Sequence, residues 1–215
     1  VSDRFPLAGR LVGLTRYLDA QLLTGFDLVF LYDPGNGLSV LRGAERLQDW
    51  PAMKELGPWP RDPRDAVDVV SRYLRYRANL RALGRGDDLH VACIVRGADQ
   101  VLPSSRQGGF EVASLASLVR DWASEPPFAD LAFASFLIAD NLNDLHPQVA
   151  NNPRVARVRV PLPLQCPDGG ERREQRVTVI GPASPIELAV LDDRQPARQL
   201  RAPRRLDGHH PPAGR

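Results

Sequence analysis

Lysine is almost absent from this chain: Lys54 is the only one, and the remaining basic side chains are arginine. That bias points to a GC-rich genome and carries no mechanism. Cysteine is nearly as scarce, with Cys93 inside an apolar run and Cys166 in a Pro/Gly-rich stretch. Two cysteines in such different settings argue against a disulfide framework. No apolar run approaches the roughly 18 to 20 residues of a transmembrane helix, and the N-terminus lacks the charged-then-apolar pattern of a signal peptide. A cytoplasmic location with no membrane partner is expected. The chain starts at Val1, which reads as a fragment or a non-standard start codon. Acids and arginines are interspersed at a net charge of +2. No basic stripe tracks a phosphate backbone, so nucleic acid is not an expected partner.

What is present is enough for one core. With 215 residues and 43% hydrophobic content, the chain can close one α/β domain followed by a tail. Leu7, Leu11, Leu14, Leu18 and Leu22 share one helical face, ending at Gly25. Phe26 to Tyr32 reads as a buried strand, and Asp33 to Ser39 as a tight loop after it. Prolines 51, 58 and 60 make the next stretch irregular. Asp62-Pro63 then supplies an N-cap and a first-turn proline for a helix that carries Ala66, Val69, Val70, Tyr73, Leu80 and Leu83 on one face. Leu89 to Val95 is a second strand, Phe110 to Trp122 another helix, and Leu131 to Ala139 a third strand. The last of these is apolar without alternation, as a central parallel strand is. Val155 to Val160 alternates with arginine and is placed at a sheet edge.

Strands alternating with helices predict a parallel sheet in a three-layer αβα arrangement. Sites in such folds lie at the carboxyl ends of the strands, here Tyr32 to Ser39, Arg96 to Gln100 and Asp140 to Asp144. A phosphate loop of the form G-x-x-x-x-G-K-[ST] cradles phosphates on backbone N–H groups, with lysine on the terminal ones and the hydroxyl on magnesium. This chain has Tyr32-Asp33-Pro34-Gly35-Asn36-Gly37-Leu38-Ser39 in that place, with Leu38 at the lysine position. Read on turn chemistry alone, Pro34 to Gly37 is simply a turn. At the second strand end Arg96 and Gly97 occupy the positions of the metal-binding carboxylate and the general base. Asp99 reads either as a shifted substitute or as a helix cap.

The third strand end runs Phe136-Leu137-Ile138-Ala139-Asp140-Asn141-Leu142-Asn143-Asp144-Leu145-His146-Pro147, then Asn151-Asn152-Pro153-Arg154-Val155, and closes on Val160-Pro161-Leu162-Pro163. This resembles the AAA+ ATPase family of P-loop NTPases, whose fourth core strand ends in "ATNRPD-x-LDPAL", followed by "RPGRFDR" and a strand ending in "VPLPD". The resemblance covers about Leu7 to Pro163. It places Asn141 on the sensor asparagine and Arg154 on the second finger arginine, with Asn151 at the first. It implies nucleotide contacts from Gly35, Asn36, Gly37, Ser39 and Asn141, and an interface at Arg154, which Arg157 on the exposed face of the edge strand would extend. On residue chemistry alone Asn141 reads as a helix cap, and Arg157 and Arg159 read as solvated charges as readily as an interface. His90, His146, His209 and His210 read as solvated or turn residues, and no grouping has metal-ligand spacing.

The expected organisation is an AAA+-like core over 1–165 with a degenerate nucleotide site, a poorly patterned extension over 166–191, and a disordered Arg/Pro-rich tail over 192–215, with no helical lid. The resemblance implies a degenerate, truncated N-terminal AAA domain: a non-catalytic scaffold or regulator of an active AAA+ domain or subunit, in a ring oligomer. The alternatives are a passive site for ATP or ADP without catalytic magnesium, or a weak ATPase. Loss of the lysine together with arginine at the metal position opposes hydrolysis, because the first removes charge stabilisation of the terminal phosphates and the second repels magnesium.

Overall fold

A hairpin precedes the first helix. Phe5–Leu7 (β1) and Arg10–Val12 (β2) pair antiparallel around Ala8 and Gly9, both at positive φ. Two positive-φ residues in a two-residue loop match the twist of the strands they join. The helix expected from Leu7 to Leu22 is therefore shortened to Leu14–Gln21 (α1), which begins after Gly13. The fold is that of a computed structural model, which describes residues 5–104, 109–160 and 175–180. All of them belong to a compact unit over Val1–Ser184.

The remaining elements are strands β3 (Leu28–Asp33), β4 (Gly37–Arg42), β5 (Val91–Val95), β6 (Phe133–Ala139), β7 (Val155–Val160) and β8 (Gln175–Ile180), with helices α2 (Pro63–Ala82), α3 (Ala98–Val101), α4 (Gly109–Ser124) and α5 (Pro147–Ala150). The strands form one sheet in the order β4-β3-β5-β6-β8-β7. The central three are parallel, in the register Leu28↔Val91↔Phe133. The flanking pairs are not: β4 runs antiparallel to β3, and β8 runs antiparallel to both β6 and β7. The sheet is mixed where a parallel one was expected, because β4 returns by a short turn and β8 enters from a stretch expected to be poorly patterned. Apart from β8, the expectations for 166–191 and 192–215 lie outside the described residues.

Both faces of the central strands are buried. Leu28, Phe30, Tyr32, Val91, Cys93, Val95, Phe133 and Leu137 face α2 and α4 in one cluster. Val29, Ala92, Ile94, Phe136 and Ile138 fill the opposite face. Arg42, paired with Val29, reaches Asp19 and the Leu23 carbonyl on that side, so α1 lies there and the three layers are complete. Helix α2 starts as its sequence predicts: the Asp62 carboxylate accepts from the amides of Arg64 and Asp65, and Pro63 follows. Its buried stripe is Ala66, Val69, Val70, Tyr73 and Leu74, whereas Leu83 is 68% exposed. Trp122 of α4 donates its indole N–H to Ser71 of α2 at 2.8 Å, locking the two helices on one face.

Candidate functional site

The carboxyl end of β3 is built around Asp33. Its Oδ1 accepts from the backbone N–H of Gly35 at 3.0 Å, from the backbone N–H of Asn36 at 3.1 Å and from the Asn36 amide at 3.1 Å. Its Oδ2 lies 2.9 Å from Nη1 of Arg96 at the end of β5. Asn36 also donates to the Asp33 carbonyl, closing a turn over Pro34 and Gly35. Gly37 follows at φ +81, and a Cβ there would sit 2.7 Å from the Pro60 carbonyl oxygen.

The loop expected from Asp33 to Ser39 is thus a hairpin turn, and β4 follows where a phosphate loop would require a helix. The physical reason is in the residues: Asp-Pro opens the turn, Asn36-Gly37 is a strong hairpin dipeptide, and Leu38 and Val40 are apolar at strand spacing. Leu38 is buried, and its N–H donates to the Pro60 carbonyl at 2.8 Å. Ser39 lies within β4, its hydroxyl on the Leu31 carbonyl at 3.3 Å. Tyr32 donates its phenol to the Arg61 carbonyl at 2.8 Å, and burial, then the Asp62 and Asp33 carboxylates, push its pKa above the ordinary value. Residues 60–61 thus close over the hairpin. Asp33 and this closing segment are what sequence reasoning passed over, and the Asn-Gly dipeptide was the available signal.

At the end of β5, Gly97 takes a left-handed conformation at φ +57 and starts α3, with Asp99 in its first turn. At the end of β6, Asn141 caps a short 3-10 helix, its Oδ1 accepting from the Asn143 amide at 3.1 Å. Among the described residues no three His, Cys, Asp or Glu side chains are grouped as a metal site.

Arg154 and Arg157 lie elsewhere. Val155 and Ser135 both pair with Ile180, so β7 begins level with the start of β6. Asn141 is six residues beyond Ser135, roughly 20 Å along the strand direction at ~3.3 Å per residue. The turn at Asp33, Arg96 and Asn141 therefore share one end of the sheet, while Arg154 stands at the other. Arg154 donates from Nη1 to the Ala123 carbonyl at 3.2 Å, and Arg157 donates from Nη2 to the Ala150 carbonyl at 2.5 Å.

The described strands form a mixed α/β sheet with helices on both faces, a three-layer Rossmann-like α/β domain. Residues 1–161 match the family described as AAA+ chaperone, N-terminal Rossmann-like domain, and the chain belongs to that family. No curated protein and no solved structure matches the chain significantly. No helix among the described residues is long and apolar enough to cross a membrane.

Proposed function

We infer that the chain is a non-catalytic AAA+-like module of a chaperone assembly, serving as scaffold or regulator of an active AAA+ domain or subunit in the cytoplasm. The observation that carries this reading is the Asp33 carboxylate, which accepts from both turn N–H groups and pairs with Arg96. In a working phosphate loop those donors face the nucleotide. Here an anion of the protein's own occupies them, and the Leu38 amide is spent on Pro60. Both nucleotide motifs are read as degenerate. Partner contact is assigned to Arg154 and Arg157, with Arg154 supplying positive charge to the partner's nucleotide.

Calorimetric titration with ADP and ATP, with and without magnesium, tests this reading. The expected result is no heat beyond dilution and no magnesium-dependent turnover. Saturable binding weakened by Asn141→Ala would instead support a passive nucleotide site at Gly35, Asn36, Gly37, Ser39 and Asn141. Turnover abolished by Ser39→Ala or Asp99→Ala would make the chain a weak ATPase.

A further inference from the structure

A groove of about 330 Å³ lies beside the last turn of α4, between Arg120 and Ser124 of that helix, Gln148 of α5 and the connection Asn151 to Arg154. None of the described residues lining it is acidic. Its hydrogen-bonding groups lean towards donors. Gln148 Oε1 accepts from the Ser117 hydroxyl at 3.1 Å, Asn151 Oδ1 from Arg157 at 3.4 Å, and Asn152 Oδ1 from the Arg154 amide at 3.0 Å. One lone pair of each of the three amide oxygens is thereby engaged within the protein. Among the described residues the donors at the groove are the amide nitrogens of Gln148 and Asn151, and Nε and Nη2 of Arg154. Arg120 adds Nη1, because its Nε and Nη2 are shared with the adjacent Asp121 at 3.1 and 2.8 Å.

The groove is also held in shape before anything binds. Asn152 is 8% exposed and ties its Nδ2 to Ser124 at 3.3 Å, and Arg154 is fixed to the Ala123 carbonyl. A donor-rich set with two guanidinium groups, one of them already paired with the Asp121 carboxylate, favours a ligand that accepts, and an ionised carboxylate is such a group. Phosphate accepts too, but it favours the N-termini of long helices, whereas α5 offers only a four-residue helix start and α4 presents its C-terminal, partially negative end here. That end opposes a dianion more than a single carboxylate. Strand β7, which begins at the groove, is last in the sheet order and leaves its outer edge unpaired among the described strands, so an extended chain can lie along it.

The geometry points to this groove as the docking site for an extended acidic segment of a partner protein, its carboxylate seated between Arg120 and Arg154. This deepens the scaffold reading by naming the chemistry of the partner, and it is tested without any ATPase, so either can fail alone. Anisotropy of a fluorescein-labelled oligoglutamate peptide is titrated with the full chain. Arg120→Ala, Arg154→Ala and Gln148→Glu are each expected to weaken binding about fivefold to tenfold, the loss of one charge-assisted contact. Arg85→Ala, which removes an exposed arginine elsewhere, should change it less than twofold. Circular dichroism of each variant checks folding, and Gln148→Glu changes no side-chain volume. Absence of peptide binding would overturn the inference. So would equal losses from Arg85→Ala and the groove variants, which would mark attraction by arginines in general, or tighter groove-dependent binding of tripolyphosphate than of the peptide.

Discussion

At the residue scale, two buried acids dominate the response of the fold to alkali, with Tyr32 adding in the same direction. Cys93 is 1% exposed in the middle strand, and burial pushes its thiol from 9.0 up to about 12. Tyr73 is fully buried against Phe30 and Trp50, and burial pushes its phenol from 10.0 up to about 12. The sign follows from linkage. Once the pH exceeds the unfolded value, the unfolded chain has lost a proton that the folded chain still holds, so unfolding is favoured as pH rises. Stability should hold to about pH 9, fall as Cys93 separates the two states, and fall more steeply above pH 10 when Tyr73 adds its share. Each group contributes up to ~1.4 kcal/mol per pH unit. Urea denaturation at intervals from pH 8 to 11 measures this. Cys93→Ala should flatten the curve between pH 9 and 10, and Tyr73→Phe should flatten it above 10. Tyr73→Phe should also leave stability at pH 7 unchanged or slightly higher, because the hydroxyl finds no hydrogen-bond partner among the described residues. A flat profile in the unaltered protein would show that neither group is desolvated as its position implies.

At the scale of elements, the β3-β4 hairpin depends on one carboxylate with two separable jobs. Asp33→Asn keeps an oxygen for the Gly35 and Asn36 amides and loses only the ion pair with Arg96, whose side chain is 52% exposed. Such a pair contributes less than about 1 kcal/mol. Asp33→Ala removes the turn acceptor as well and should cost about 1–2 kcal/mol, comparable to losing a helix cap. Chemical denaturation distinguishes them, and equal losses would mean that the ion pair, not the turn, holds the hairpin. The same hairpin marks where element-level reading of the sequence stops short. The α2 start was legible because Asp62 and Pro63 act on adjacent backbone groups, and β6 was legible because burial on both faces leaves an unbroken apolar run. The Asp33-to-Ser39 segment carried two compatible signals, a glycine-rich loop and an Asn-Gly hairpin, and pairing of Leu38 with Tyr32 decided between them. Strand β8 had its own signal, the β-branched run Val177-Thr178-Val179-Ile180, but its place between β6 and β7 depends on pairing with distant residues.

For the whole molecule, the sheet has two differently equipped ends, one closed by its own carboxylate and one presenting arginines and amide donors. The register that sets Asn141 and Arg154 roughly 20 Å apart is long-range information, so sequence reasoning could name both residues without separating them. Docking and charge donation both fall at the Arg154 end, so variants of two different groove residues are needed to tell them apart. Adding the chain to an active AAA+ chaperone partner should raise the partner's ATP turnover along a saturating curve. Gln148→Glu places a negative charge in the groove and touches no nucleotide, so it should raise the half-maximal concentration several-fold and leave the plateau unchanged. Arg154→Ala removes the guanidinium that either seats the partner's carboxylate in the groove or, on the proposed function, faces the partner's transferring phosphate. In the first case it should raise the half-maximal concentration alone, and in the second it should lower the plateau towards the partner's rate alone. Arg154→Lys keeps the charge but not the planar fork, and should recover part of the plateau. If Arg154→Ala shifted only the concentration dependence, the arginine would serve docking alone and the chain would be a scaffold without a regulatory charge.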